Sequence, residues 1–193
     1  MAAVIPAARG DFRFCIVSNY RWALAFVMLK KIIAVLPMTV LVAHLAWGEQ
    51  TPQRWTPAAI ASSGYESSPT FTPDGREMFF LSADADFSNC RLTRSRCEAG
   101  RWSKPEPPPF ARPLPVIEAD PFMTHDGKRL YYISSRQDPQ HEDFDIWYVD
   151  RLADATWGEP QRLPEPVNSK GSELLPRQDL QGRLYFGSDR AGG

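Results

Sequence analysis

Short apolar runs alternate with polar turn signals along the chain from about residue 65 onward. The runs at residues 78–81, 130–133 and 184–186 are aromatic and aliphatic and lack the spacing of an amphipathic helix. Continuous apolar runs of this length between turns are typical of strands that are buried on both faces. A dipeptide ending in glycine precedes each run: Asp74-Gly75, Asp126-Gly127 and Gln181-Gly182. Because glycine adopts positive φ without a steric penalty, these dipeptides predict hairpin turns.

The same signals recur with a period near 50 residues. Each copy has a glutamate, a proline three residues later, the turn glycine, an aromatic pair and a serine. The glutamate, proline and glycine of the three copies are Glu66, Pro69 and Gly75; Glu118, Pro121 and Gly127; and Glu173, Pro176 and Gly182. A tryptophan, Trp102 or Trp157, lies 16 residues before the second and the third glutamate. Self-similarity at this period indicates a repeat architecture in which these residues have a repeated structural role.

The sequence of each full copy predicts further strands in addition to the two of its central hairpin. Residues 145–149 predict a third strand, and fourth strands are expected to begin at Trp102 and Trp157. Four short antiparallel strands in about 50 residues is the layout of a β-propeller blade. We therefore expect an all-β fold, with four-stranded blades over residues 65–117 and 118–172 and the first hairpin of a third blade over residues 173–193.

The first copy, Ser68 to Phe80 with the sequence S-P-T-F-T-P-D-G-R-E-M-F-F, resembles the PD40 repeat, the WD40-like propeller repeat of TolB-type proteins. The third copy, from Glu173 to Gly193, is similar to the form found in many periplasmic PD40 proteins. The resemblance covers about residues 65–193. It implies a non-catalytic exported propeller that binds a protein, a peptide or a cell-wall glycan through its loops.

An incomplete propeller is expected, because closed propellers have about four to eight blades. In the PD40 family the S-x-R-x-G-G of the third copy leads into a further strand, whereas this chain ends at Gly193. An arc of two blades and a hairpin would leave the outer face of the first blade and the edge of the hairpin uncovered. We expect such a chain to be marginally stable and to be a fragment of a longer protein or one part of an assembly.

The N-terminal region has a different pattern from the repeats. Two lysines at 30–31 precede an apolar run over residues 32–47, and the small residues Ala46 and Gly48 come just before Glu49. A basic start, a short apolar stretch and a small-x-small site are typical of a secretory signal peptide. The run is shorter than the roughly 20 residues of a bilayer-spanning helix. An uncleaved membrane anchor is the alternative.

We therefore expect residues 28–48 to form an apolar helix that is removed on export to the periplasm or the medium. This segment is the only predicted membrane contact. Residues 1–27 are interpreted as a mis-assigned or disordered extension. Residues 49–64 are interpreted as a linker or, alternatively, as an outer strand that closes a ring.

Charge and cysteine content change this picture only slightly. A formal net charge of −1 argues against nucleic acid as the main ligand. Cys90 and Cys97 both lie in the part expected to be exported, where an oxidising compartment permits a disulfide. We expect these two residues to form a bridge near the turn between the third and fourth strands of the first copy. Two thiols are the alternative.

Candidate chemistry is sparse. The acidic segment 141–145 offers hard oxygen ligands for a metal, but its Asp143-Phe144 recurs as Asp86-Phe87, which predicts a structural role. The repeated glutamates are expected to hydrogen-bond to neighbouring backbone. No catalytic, cofactor-binding or metal-binding residue is predicted. The alternative function is the propeller portion of a prolyl-oligopeptidase-type peptidase, or of a polysaccharide lyase or hydrolase, whose active site lies outside this chain.

Overall fold

The computed structural model describes residues 4–5, 53–55, 57–140 and 143–191. Every regular element in this part is a β-strand, and no helix occurs within it, so the predicted all-β class is confirmed. None of its segments is a helix long and apolar enough to cross a bilayer. The predicted signal helix at 28–48 lies outside the described residues.

The strands form antiparallel sheets that follow the order of the chain. Strands β1 (Val4–Ile5) and β2 (Gln53–Arg54) pair with each other. The first sheet contains β3 (Tyr65–Phe71), β4 (Glu77–Ala83), β5 (Arg91–Glu98) and β6 (Arg101–Trp102). The second sheet contains β7 (Glu118–Met123), β8 (Arg129–Asp138), β9 (Asp143–Asp150) and β10 (Gln161–Arg162). The C-terminal hairpin contains β11 (Glu173–Gln178) and β12 (Leu184–Ser188).

The predicted hairpin turns are confirmed in all three units. Gly75, Gly127 and Gly182 have φ angles of 67°, 70° and 82°, in the left-handed region that favours glycine. In the first turn, Asp74 Oδ1 accepts hydrogen bonds from the backbone N–H of Arg76 at 3.1 Å and from Thr72 Oγ at 2.6 Å. Asp126 accepts the equivalent bonds in the second turn. The aspartate therefore stabilises the turn in which the glycine supplies the backbone conformation.

The repeated proline lies in a β-bulge. The preceding residue has positive φ in each unit: 51° at Ser68, 49° at Asp120 and 55° at Leu175. The strand register shifts at the same place in all three hairpins. Proline has no N–H to donate to the sheet, so a bulge accommodates it without loss of a ladder hydrogen bond. The first two bulges are in contact, since Ser68 Oγ donates to Asp120 Oδ1 at 3.2 Å.

The central strands are buried on both faces, as the apolar runs predict. In β8, Leu130 and Tyr132 pack in one cluster with Phe79 of the first sheet. Tyr131 and Ile133 alternate with them and pack in a second cluster. The other buried members of this cluster are Leu81, Ala83, Ala119 and Ile146, and Leu184 and Phe186 of the hairpin pack against it. The second sheet therefore lies between the first sheet and the hairpin, and the three units stack in chain order.

The outer face of the first sheet is covered. Met78 and Phe80 of β4 are 1% and 2% exposed and form a cluster with Ile60. The Trp55 ring packs against this cluster, with its centroid 6.0 Å from that of Trp102. The expectation that this face is open is therefore wrong. Residues 55 and 60, predicted to belong to a linker, serve as its cover.

The predicted Cys90–Cys97 disulfide is not formed, because the residues between the two cysteines are a strand and not a turn. β5 runs without interruption from Arg91 to Glu98, so the two cysteines lie near its opposite ends. Seven residues of extended strand span about 23 Å, whereas a disulfide requires Cα atoms within about 7 Å.

Candidate functional site

The repeated glutamates of the second sheet and the hairpin are fully buried. Glu118 is 1% exposed and Glu173 is 0% exposed. Each accepts a backbone hydrogen bond from the connection that precedes it: Glu118 from the N–H of Arg112 at 3.0 Å, and Glu173 from that of Ser169 at 3.0 Å. The predicted bond to neighbouring backbone is therefore confirmed at these two positions.

An arginine that the sequence analysis did not identify completes each arrangement. Arg136 Nε donates to Glu118 Oε1 at 2.8 Å, and Arg190 Nη2 donates to Glu173 Oε1 at 2.8 Å. Arg136 also donates to the carbonyl of Phe110 at 2.8 Å. The arginine thus ties the connection before each unit to the unit itself. Its signal in the sequence is S-x-R, at Ser134 to Arg136 and at Ser188 to Arg190.

Glu66 of the first unit has different partners. The hydroxyl of Ser62 donates to it, and the residue two positions after Ser82 is Asp84 in place of an arginine. Asp84 pairs instead with Arg91 at 2.9 Å. Among the described residues, the first unit therefore has no ion pair equivalent to Glu118–Arg136 and Glu173–Arg190.

The two buried glutamates have pKa values shifted in opposite directions. Burial raises the pKa of Glu118 above its ordinary value, against the opposing effect of Arg136. Burial also raises the pKa of Glu173, but hydrogen bonds from Ser169, Ser188 and Arg190 outweigh it and hold the pKa below its ordinary value. Equivalent positions in the repeat thus have different electrostatic environments.

Of the acidic segment 141–145, the structure describes residues 143–145, and both of their aspartates have protein partners. Asp145 is paired with Arg162 through two hydrogen bonds of 2.6 Å, and Asp143 accepts a bond from Ser172 Oγ at 3.3 Å. Within the described residues, no three His, Cys, Asp or Glu side chains are placed to hold a metal ion. Asp143 begins β9, whereas Asp86 lies in a turn before β5. The two Asp-Phe dipeptides are therefore not structural equivalents, and that interpretation is corrected.

The two tryptophans that precede the repeated glutamates by 16 residues, Trp102 and Trp157, lie in different places. Trp102, in β6, packs against the cover of the first sheet. Trp157 packs between the sheets, with its ring centroid 5.5 Å from those of Phe79 and Phe110. Trp157 also lies at the edge of a surface groove.

This groove, of about 790 Å³, separates the connection before β7 from the outer strands of the second sheet. Its residues are partly apolar and partly charged, and include Phe110, Arg112, Pro113, Arg136, Trp147 and Trp157. We call it the Pro–Trp groove. The guanidinium of Arg136 lies 4.9 Å from the centroid of the Trp147 ring. The groove combines flat aromatic and proline surfaces with two guanidinium groups.

Buried hydrogen-bond donors surround the Pro–Trp groove. The indole N–H groups of Trp147 and Trp157 and the hydroxyl of Tyr132 have no hydrogen-bond partner among the described residues. Tyr132 packs beneath the groove against Phe110, at 5.8 Å between ring centroids. Native structures leave few such groups, since each reduces stability by about 1–3 kcal/mol. Sequence reasoning missed the groove because its walls come from segments far apart in the chain.

No family model matches the chain, and no curated protein matches it. The resemblance to the PD40 repeat therefore stays a prediction. The internal repeat does not depend on it, because the three units share their turn, their bulge and the pairing of the repeated glutamate with the repeated serine.

Proposed function

We propose that this chain is a segment of a PD40-type β-propeller and acts as a non-catalytic, exported binding module for a protein, a peptide or a cell-wall glycan. The propeller assignment is supported by two four-stranded antiparallel meanders and a hairpin that stack in chain order. Propellers are built from such four-stranded units. Their loops carry the binding residues.

The observation that carries the binding role is the Pro–Trp groove. Its volume falls within the range of about 300–1,000 Å³ that is typical of ligand sites. Tryptophan and arginine are the residues that most often dominate binding energy at interfaces. Half-buried Trp147 and Trp157 offer flat surfaces, and exposed Arg112 offers a charge at the rim. An extended peptide or glycan, which has planar or ring-shaped units and polar groups along its edges, fits these aromatic and charged surfaces.

Ligand titration followed by tryptophan fluorescence tests the groove. The probes are a muropeptide and a proline-rich peptide, which represent the glycan and peptide classes. We expect saturable binding of one class, weakened about tenfold by Arg112→Gln. The matched control is Arg101→Gln, which removes an exposed arginine from the first sheet and should leave affinity unchanged. Equal affinity of wild type and Arg112→Gln, or no binding of either class, would contradict the proposal.

Export is tested separately. If residues 28–48 are a signal peptide, the mature protein begins at Glu49 and is recovered from the periplasmic fraction or the medium. N-terminal sequencing of the recovered product measures this directly. Full-length protein retained in the cytosol or the inner membrane would count against export, and would leave the binding role to be decided by the titration.

A further inference from the structure

Buried polar atoms without a hydrogen-bond partner are concentrated at one boundary, between the first and the second sheet. Six such side-chain atoms occur among the described residues, and all six belong to side chains at this boundary. They are Arg94 Nε, Tyr132 Oη, Trp147 Nε1, Arg151 Nε, Trp157 Nε1 and Glu77 Oε2. The four nitrogen atoms can only donate a hydrogen bond, whereas the carboxylate oxygen can only accept one. Unused donors therefore outnumber unused acceptors at this boundary.

The Pro–Trp groove has the same excess of donors. Its lining residues belong to the second sheet and to the connections before β7 and β10, and the first two sheets each have four strands. Among the side chains that line it, those of Arg112, Arg136, Trp147 and Trp157 can donate a hydrogen bond, and that of Glu159 alone can accept one. A ligand that matches the groove should therefore carry many acceptors and few donors.

The two arginines of the groove differ in how far they are already paired. The Arg136 guanidinium is held by Glu118 and by the carbonyl of Phe110. The Arg112 side chain is exposed and forms no ion pair within the part of the chain that the structure describes. A carboxylate on the ligand would therefore find its counter-charge at Arg112.

We propose that the Pro–Trp groove binds a proline-rich peptide segment in the polyproline II conformation, with an acidic residue next to Arg112. This assignment of the ligand rests on the binding role proposed for the groove. Each proline brings a backbone carbonyl but no N–H, and the polyproline II helix has no internal hydrogen bonds. Such a segment is therefore rich in acceptors and poor in donors. Grooves lined by aromatic side chains are the usual sites for this conformation.

A cell-wall glycan matches the groove less closely. Each sugar hydroxyl group both donates and accepts, so a glycan brings donors for which the lining side chains offer only the Glu159 carboxylate. A peptide without proline has the same disadvantage through its backbone N–H groups. Donors left unpaired on binding weaken affinity, because they lose their hydrogen bonds to water.

The indole N–H groups of Trp147 and Trp157 supply the donors for the peptide carbonyls. Both side chains are half-buried, and their Nε1 atoms lie beneath the surface that solvent reaches. Changes of side-chain rotamer are common when an interface forms. We therefore expect the two rings to turn on binding, so that each N–H donates to a carbonyl of the peptide.

The probe is the capped heptapeptide P-P-P-E-P-P-P, titrated into the full chain and followed by the fluorescence of the protein's tryptophans. We expect saturable binding. The matched peptide G-G-G-E-G-G-G keeps the charge but adds N–H donors and flexibility, so it should bind at least about tenfold more weakly. Equal binding of the two peptides would overturn the assignment.

The same titration with a muropeptide separates this assignment from the binding role itself. Binding of the muropeptide without binding of P-P-P-E-P-P-P would show that the ligand assignment is wrong, while the binding role of the groove stands. Binding of neither probe would overturn both.

A charge exchange tests the position of the acidic residue. Arg112→Glu should weaken P-P-P-E-P-P-P about tenfold or more, because it removes the counter-charge and adds repulsion. The peptide P-P-P-R-P-P-P should recover most of this loss. The matched control is Arg101→Glu, which changes an exposed arginine of β6 outside the groove and should leave the affinity unchanged. Unchanged affinity of Arg112→Glu would overturn the placement of the acidic residue.

The indole N–H signals test the donors directly. In nitrogen–proton correlation spectra, assigned with Trp147→Phe and Trp157→Phe, both groove signals should move downfield as each N–H gains an acceptor. The signal of Trp102, which packs against the cover of the first sheet and outside the groove, should stay in place. Groove signals that do not move at saturation, or movement of the Trp102 signal alone, would overturn the proposal.

Discussion

Single residues fix how the connections meet the sheets, and the Glu118–Arg136 pair is the most enclosed of these contacts. The side chain of Glu118 is 1% exposed and that of Arg136 is 10% exposed, and Arg136 Nη2 lies 2.6 Å from Glu118 Oε1. Arg136→Met should lower the free energy of unfolding by about 3–5 kcal/mol, because it leaves a buried carboxylate without its counter-charge. Urea denaturation measures the change.

Arg183→Met is the control for this loss. The Arg183 side chain is 68% exposed and pairs with Asp179 at the surface. Surface pairs contribute little to stability, so its unfolding midpoint should stay close to that of the wild type. Comparable losses in the two variants would show that burial does not determine the strength of the Glu118–Arg136 pair.

The opposite pKa shifts of Glu118 and Glu173 predict opposite pH dependences. The raised pKa of Glu118 gives a contribution to stability that is fully present below the ordinary glutamate pKa and is lost as pH rises through the raised value. The lowered pKa of Glu173 gives a contribution that is present above the ordinary pKa and is lost as pH falls through the lowered value.

The measurement compares each glutamine variant with the wild type across the acidic range. The stability advantage of wild type over Glu118→Gln should shrink as pH rises, since glutamine does not titrate. Its advantage over Glu173→Gln should grow as pH rises. Slopes of the same sign would contradict the assignment of different environments to the two carboxylates.

At the scale of elements, the contact between the first and second units can be tested at their hairpin turns. A Cβ on Gly127 would lie 2.7 Å from Pro73 Cδ in the turn of the first unit, whereas a Cβ on Gly182 would meet nothing within 4 Å. Both glycines have positive φ, so alanine at either site strains the backbone by about 1 kcal/mol. Gly127→Ala should lose about a further 1–3 kcal/mol from steric overlap.

Adding Pro73→Ala separates the two contributions. Removing the proline ring relieves the overlap but not the backbone strain, so the double variant should recover most of the difference between Gly127→Ala and Gly182→Ala. Thermal or urea unfolding measures all four proteins. A double variant no more stable than Gly127→Ala would mean that the two turns do not touch.

The elements also differ in how far the sequence predicts them. Asp-Gly turns and runs buried on both faces follow local rules, and these were predicted correctly. β5, with the sequence R-L-T-R-S-R-C-E, was missed because it has few apolar residues, and it pairs along the edge of β4. The bulges were missed because positive φ at Ser68, Asp120 and Leu175 is unusual for residues other than glycine.

The Pro–Trp groove and the arginines that pair with the buried glutamates could not be predicted from local sequence rules. The groove joins residues 109–116 to Trp147 and Trp157, and only packing of the second sheet brings these segments together. Arginine in a strand is usually a surface residue. The enclosed position of Arg136 depends on its hydrogen bonds to Glu118 and to the carbonyl of Phe110. Repeated spacing identified the glutamate but not its partner.

At the scale of the whole molecule, instability should concentrate in the C-terminal hairpin. Four of the eight exposed large apolar side chains among the described residues lie there: Leu174, Leu175, Leu180 and Tyr185. Brief trypsin digestion should therefore cut first after Lys170 or Arg183, while Arg94, with a side chain 8% exposed, stays protected. Mass spectrometry of the first fragments identifies the sites.

Early cleavage within β5 would instead place the least stable region in the first sheet. It would also mean that the cover formed by Trp55 and Ile60 does not hold in solution.

The cover over the first sheet limits how the stack can be extended. Trp55 and Ile60 close the outer face of the first sheet, where Met78 and Phe80 are buried. A further unit could be added ahead of the first sheet only by displacing these closing side chains, and it would have to bury at least as much apolar surface as it exposes.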